Sequence, residues 1–72
     1  MKNQKSKEIK VFIEIEYKDE SSFHFDVIPH DNFGNAAKAE IMMITRGTLM
    51  ASGGIKATAY NEDGFEICSY IQ

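Results

Sequence analysis

His24 and Asp26 stand two apart in an apolar-alternating stretch, and His30 and Asp31 follow Pro29. A histidine beside a carboxylate is the arrangement of a general base. On an extended segment, residues two apart share a face, so His24 and Asp26 can meet. Catalysis needs more than that pair. No serine, cysteine or lysine stands as an evident nucleophile beside either histidine. Cys68 is the single thiol. It falls on a strand pattern, away from any helix N-terminus that would activate it. Two histidines and one cysteine lack both the spacing and the fourth ligand of a zinc site. Gly53-Gly54 follows a helical pattern instead of opening one, so it reads as a helix cap and not as a phosphate loop. The expectation is a protein that is not an enzyme, with no catalytic residue, no metal and no cofactor.

Size sets the next constraint. The 72 residues allow one domain at most. Residues 1–8, MKNQKSKE, hold three lysines and one apolar residue, and read as a flexible basic N-terminal arm. Residues 9–72 form the domain. At that size a chain buries roughly 60% of its unfolded surface, so stability is marginal. A lone cysteine rules out an intramolecular disulfide. Oligomerisation or complex formation is then the remaining way to reinforce the fold. The formal net charge is -3 and the sequence pI is about 5.2, which disfavours a protein dominated by phosphate contacts. Lys2, Lys5, Lys7 and Lys10 still cluster at one end. No apolar run reaches the roughly 18 residues of a membrane span, and no signal-peptide pattern is present. The single thiol fits a reducing compartment, so the expected location is cytoplasmic, with no membrane association.

The elements follow from periodicity. In residues 9–17, Ile9, Val11, Ile13, Ile15 and Tyr17 alternate with Lys10, Phe12, Glu14 and Glu16, a strand pattern. Lys18, Asp19, Glu20 and Ser21 supply a turn. Phe23, Phe25 and Val27 continue the alternation until Pro29 ends it. Asp31 or Asn32 can cap a helix over residues 35–52, with Phe33 packing back on the core. On that helix Ala37, Ile41, Ile44, Thr48 and Ala51 form one stripe, flanked by Met42 and Leu49. Residues 55–60 and 65–71 form a second hairpin around Asn61-Glu62-Asp63-Gly64, with glycine where a left-handed residue closes the loop. Ile55, Ala57, Ala59, Phe65, Ile67 and Ile71 are expected to face the helix. Lys56, Thr58, Tyr60, Glu66, Cys68 and Tyr70 are expected on the opposite face. The fold class is α+β, a two-layer ββαββ domain with one helix on a four-stranded antiparallel sheet.

Two candidate binding surfaces remain. The back of the helix carries Ala39, Met43, Arg46 and Met50, with Ala36 beside them, where a solvent face should be charged. Covering two methionines would add roughly 3–6 kcal/mol, and Arg46 could pair with a partner carboxylate. Gly47 lies within this helix at a cost of roughly 1 kcal/mol against alanine. It is either tolerated or lets another backbone approach. The second surface is the open sheet face with Phe12, His24, Tyr60 and Tyr70. Its aromatics could stack bases, but Glu14, Glu16, Asp26 and Glu66 would repel phosphate.

With TRGTLMAS at residues 45–52 and AYNEDGFEICSY at residues 59–70, the chain resembles small proteins of bacterial phages and mobile elements. In size, acidity and element order it is also similar to some phage anti-CRISPR proteins. That resemblance implies a stoichiometric inhibitor that docks on a host nuclease complex. Such proteins share no common motif, so no functional residue is carried over. The expected function is a small non-catalytic protein-interaction module, an inhibitor or regulator that docks on a host protein complex, with a protein partner, self-association as a homodimer, or both. The alternative is a nucleic-acid-binding module using the basic arm and the sheet aromatics.

Overall fold

The computed structural model describes residues 10–30 and 34–72. The expected arm over residues 1–8, Ile9, the candidate caps Asp31 and Asn32, and Phe33 lie outside them. The described residues form β1 (Val11–Glu16), β2 (Ser22–Val27), α1 (Gly34–Ser52), β3 (Lys56–Tyr60) and β4 (Glu66–Ile71). The four strands make one antiparallel sheet in the order β2-β1-β3-β4. The expected α+β ββαββ architecture is therefore the observed one.

Strict alternation places Val11, Ile13 and Ile15 of β1 in the core, where all three are fully buried. Ala57 and Ala59 of β3 lie opposite Ile15 and Ile13. Their small side chains leave room for α1, which contacts β3, β4 and β1 but does not reach β2. Gly54 closes the connection after α1. A Cβ there would sit 2.5 Å from Ile15 Cγ2 and 3.0 Å from the Glu16 carbonyl oxygen, so only glycine fits against β1 without displacement.

The helix meets the sheet one position away from the expected stripe. Ala37, Ile41, Thr45 and Leu49 are buried, Ile44 and Thr48 flank them, and Ala51 and Met42 are exposed. Leu49 is thus at the centre of the stripe and not on its flank. A threonine can occupy the middle of the buried face because its hydroxyl donates to the Ile41 carbonyl oxygen at 2.6 Å, which satisfies its polar group within the helix.

Larger corrections fall on β3 and β4. Cys68 lies opposite Ala59 and Tyr70 opposite Ala57, but Tyr60 lies opposite Glu66, so the register shifts between Ala59 and Tyr60. The shift is a bulge that gives β4 one extra residue, and an extra residue reverses the alternation beyond it. Cys68 and Tyr70 consequently pack against the core with Ile67, and not on the open face. Ile71 is 78% exposed and Phe65 is 69% exposed, against the expectation that both face the helix. Ile55 precedes β3 and is exposed. Its backbone still joins the sheet, donating to Glu16 O at 2.8 Å and accepting from Gln72 N at 2.9 Å.

Both turns follow their sequence chemistry. Gly64 adopts φ 88° and donates to Asn61 O at 3.0 Å. In the first turn Asp19 Oδ1 accepts from Ser21 N at 3.0 Å and Ser21 Oγ at 2.6 Å. These bonds lower the Asp19 pKa below its ordinary value, the side-chain bond contributing most.

Candidate interaction surface

A 3.6-residue period brings positions 39, 43, 46 and 50 onto one side of α1. Ala39, Met43, Arg46 and Met50 all line a single open groove there, together with Met42, Gly47 and Tyr70. Met43 is 71% exposed and Met50 is 63% exposed. The floor of the groove is β4. Tyr70 reaches it because the bulge turned it to the helix side. The two candidate surfaces therefore exchange one member: Tyr70 belongs with the methionines, and the open sheet face loses it. Periodicity could not reveal this, since the bulge depends on the pairing of β4 with β3.

Gly47 sits on the wall of this groove, and nothing lies within 4 Å of a Cβ built on it. No packing among the described residues accounts for a glycine there. Arg46 makes no ion pair among the described residues. The groove thus combines flexible thioethers, an aromatic ring, a backbone accessible at Gly47 and one cation.

On the opposite face of the sheet, Phe12, His24 and Tyr60 line a hollow with Glu14 and Asp26. Phe12 lies opposite both Tyr60 and Asp26, and Glu14 lies opposite His24. Three of the four residues expected on this surface are therefore brought together. Two carboxylates at the rim give it an unfavourable field for phosphate. Beside it Thr58 is buried between Glu14 and Ser69 with its hydroxyl oxygen unpartnered.

The histidines separate. His24 is exposed on the hollow's edge. His30 is tied to α1 instead: Glu40 accepts from His30 N at 2.9 and 3.0 Å, and His30 Nδ1 lies 3.1 Å from Glu40 Oε2. This carboxylate clamp, spanning ten positions, anchors the segment after β2 to the helix. Short-range pattern reading did not find it. Cys68 donates to Thr45 Oγ1 at 3.9 Å beneath α1. Burial pushes its thiol pKa up, while the Thr45 bond and the Lys38 charge oppose that shift, so the thiol stays protonated near neutral pH. Among the described residues no group of three His, Cys, Asp or Glu side chains is placed to hold a metal ion, and no helix is long and apolar enough to cross a membrane.

Comparison with known proteins gives no matching family model, no significantly similar curated protein and no significantly similar solved structure. The geometry of the groove therefore carries the functional reading.

Proposed function

We propose that this chain is a small non-catalytic protein-interaction module that inhibits or regulates a partner protein by docking on it. The contact surface is the groove of Ala39, Met43, Arg46, Met50 and Tyr70. One observation carries the reading: apolar side chains of the helix back and of β4 converge on one open groove that the described residues leave uncovered. Chains of this size have little stability to spare, and apolar surface left in water is best accounted for by a partner. The fitting partner presents apolar side chains to the methionines and a carboxylate to Arg46. Under this reading the partner class is a host protein complex, as the resemblance to phage inhibitors implies, and the chain acts in the cytoplasm.

The test is the double variant Met43→Glu, Met50→Glu. Circular dichroism and the urea midpoint should match the parent, because both side chains are exposed. Affinity for the partner captured from the native host should fall at least about tenfold, since desolvated apolar anchors dominate such contacts. A folded double variant that keeps full affinity overturns the groove as the contact surface. Nucleic-acid binding by the parent chain that falls steeply with salt would transfer the function to the alternative module.

A further inference from the structure

Among the described residues β2 is an open edge of the sheet. It lies at the end of the sheet order, so half of its backbone groups point away from β1. α1 does not reach it. On the helix side of the sheet β2 carries Phe25 and Val27, which are half-buried against the core, and the exposed Phe23. Phe23 is 54% exposed, and its ring stands 5.7 Å from that of Phe25. Soluble proteins shield edge strands with lysine, proline or a bulge. The segment Ser22–Val27 has neither lysine nor proline, and its pairing with β1 runs without a register shift. Each edge carries one exposed carboxylate, Asp26 on β2 and Glu66 on β4, but only β4 has a bulge and α1 over one face.

We propose that β2 pairs antiparallel with β2 of a second copy of this chain, about a two-fold axis at Phe25, and joins the two sheets into one. The sequence of the strand is self-complementary in that register. With Phe25 opposite the partner's Phe25, His24 faces Asp26 of the partner subunit, and Phe23 faces the partner's Val27. Opposed residues of an antiparallel pair point to the same face. The aromatic strip of both copies therefore fills the gap between the two helices, while each imidazole meets a carboxylate on the other face. Two-fold symmetry makes each contact twice. A shift by two residues would set His24 opposite the partner's His24 and lose both imidazole–carboxylate pairs. A shift by one would set aromatic residues against polar ones. The groove over β4 stays open in both copies, so this surface is independent of the partner site proposed above.

Sedimentation of the purified full chain should show a monomer–dimer equilibrium. Asp26→Lys sets a cation against the partner's His24 at two places and should weaken the dimer by about tenfold or more. Adding His24→Asp to that variant sets opposite charges across the axis and should recover most of the loss, which a merely structural role for Asp26 would not do. In the unaltered chain, hydrogen exchange at the outward amides of β2 should slow as concentration rises. A chain that stays monomeric up to about 1 mM, or a dimer indifferent to Asp26→Lys, overturns the proposal. So does a β2 edge protected only when a different protein is bound. Met43→Glu with Met50→Glu should leave this dimer intact, so failure of the groove and failure of the β2 contact are read separately.

Discussion

The two ends of the sheet are built differently. Over β1 and β3, every inward side chain from Val11 to Ala59 is fully buried beneath Ile41 and Leu49. At β2 the same face of the same sheet leaves Phe23 half in water. The cause is geometric. A helix with its side chains is roughly 10 Å wide, and strands lie about 4.8 Å apart, so a helix lying along the strands covers two or three of them, and α1 contacts β3, β4 and β1. The alanines of β3 draw α1 toward β3 and β4, and β2 is left outside. Where the helix sits over β3 and β4, the far edge of the sheet keeps apolar surface in water, as at Phe23, and the helix's own outer face forms a groove where it meets β4.

Substitutions should expose the contrast, beginning with the core. Ile15→Ala removes a fully buried side chain and should cost about 2–5 kcal/mol in urea unfolding. Phe23→Ala, measured on dilute monomer, should cost about 1 kcal/mol, because half of that ring is already hydrated. Equal losses would mean that β2 is as much core as β1, and the contrast would fail. Gly47→Ala should act in the other direction. Its added methyl meets nothing within 4 Å, and helix propensity should stabilise the free chain by roughly 0.5–1 kcal/mol. If the groove is the docking site, the same methyl should weaken partner binding. A destabilised Gly47→Ala chain would mean that the groove is closed in solution.

The smallest effects are in pH dependence, and they also divide the molecule. Cys68, under the helix, has its pKa raised above 9.0 by burial. Its contribution to stability is full below pH 9 and is lost as pH rises through the folded-state value. Asp19, at the tip of the β1–β2 turn, has its pKa lowered below 3.8, first by the Ser21 side-chain bond. Its contribution is present above that pH and is lost as pH falls through the folded-state value. Urea midpoints across pH should lose their alkaline fall in Cys68→Ser and part of their acid fall in Asp19→Asn. Slow alkylation of Cys68 at neutral pH, accelerating above pH 9, reports the same burial. Fast neutral alkylation would show that α1 opens readily over β4.

Much of this protein was written locally. Alternation over Val11–Glu16 and the 3.6 period of α1 identify the elements, because each period reports which face of a single segment meets water. Gly64 and the Asp19 turn follow from φ preference and from a side chain reaching its own backbone. The four groove residues of the helix were legible for the same reason. Tyr70 was not. Its side of the sheet depends on a bulge formed against β3, and Cys68 and Ile71 move with it, while Phe65 is exposed because it precedes β4. The Thr45 hydroxyl shows the same limit, since a threonine enters the buried stripe only once its own helix supplies an acceptor. The order β2-β1-β3-β4, the Glu40 clamp on His30 and the exposure of Phe23 on β2 are likewise relations between segments distant in the chain. The sequence determined the elements and their apolar faces because those depend on neighbours within a turn or two. Only the tertiary structure decided which face of β4 meets the helix and which strand the helix leaves uncovered, because pairing register and helix width act between segments and leave no periodic mark in either one.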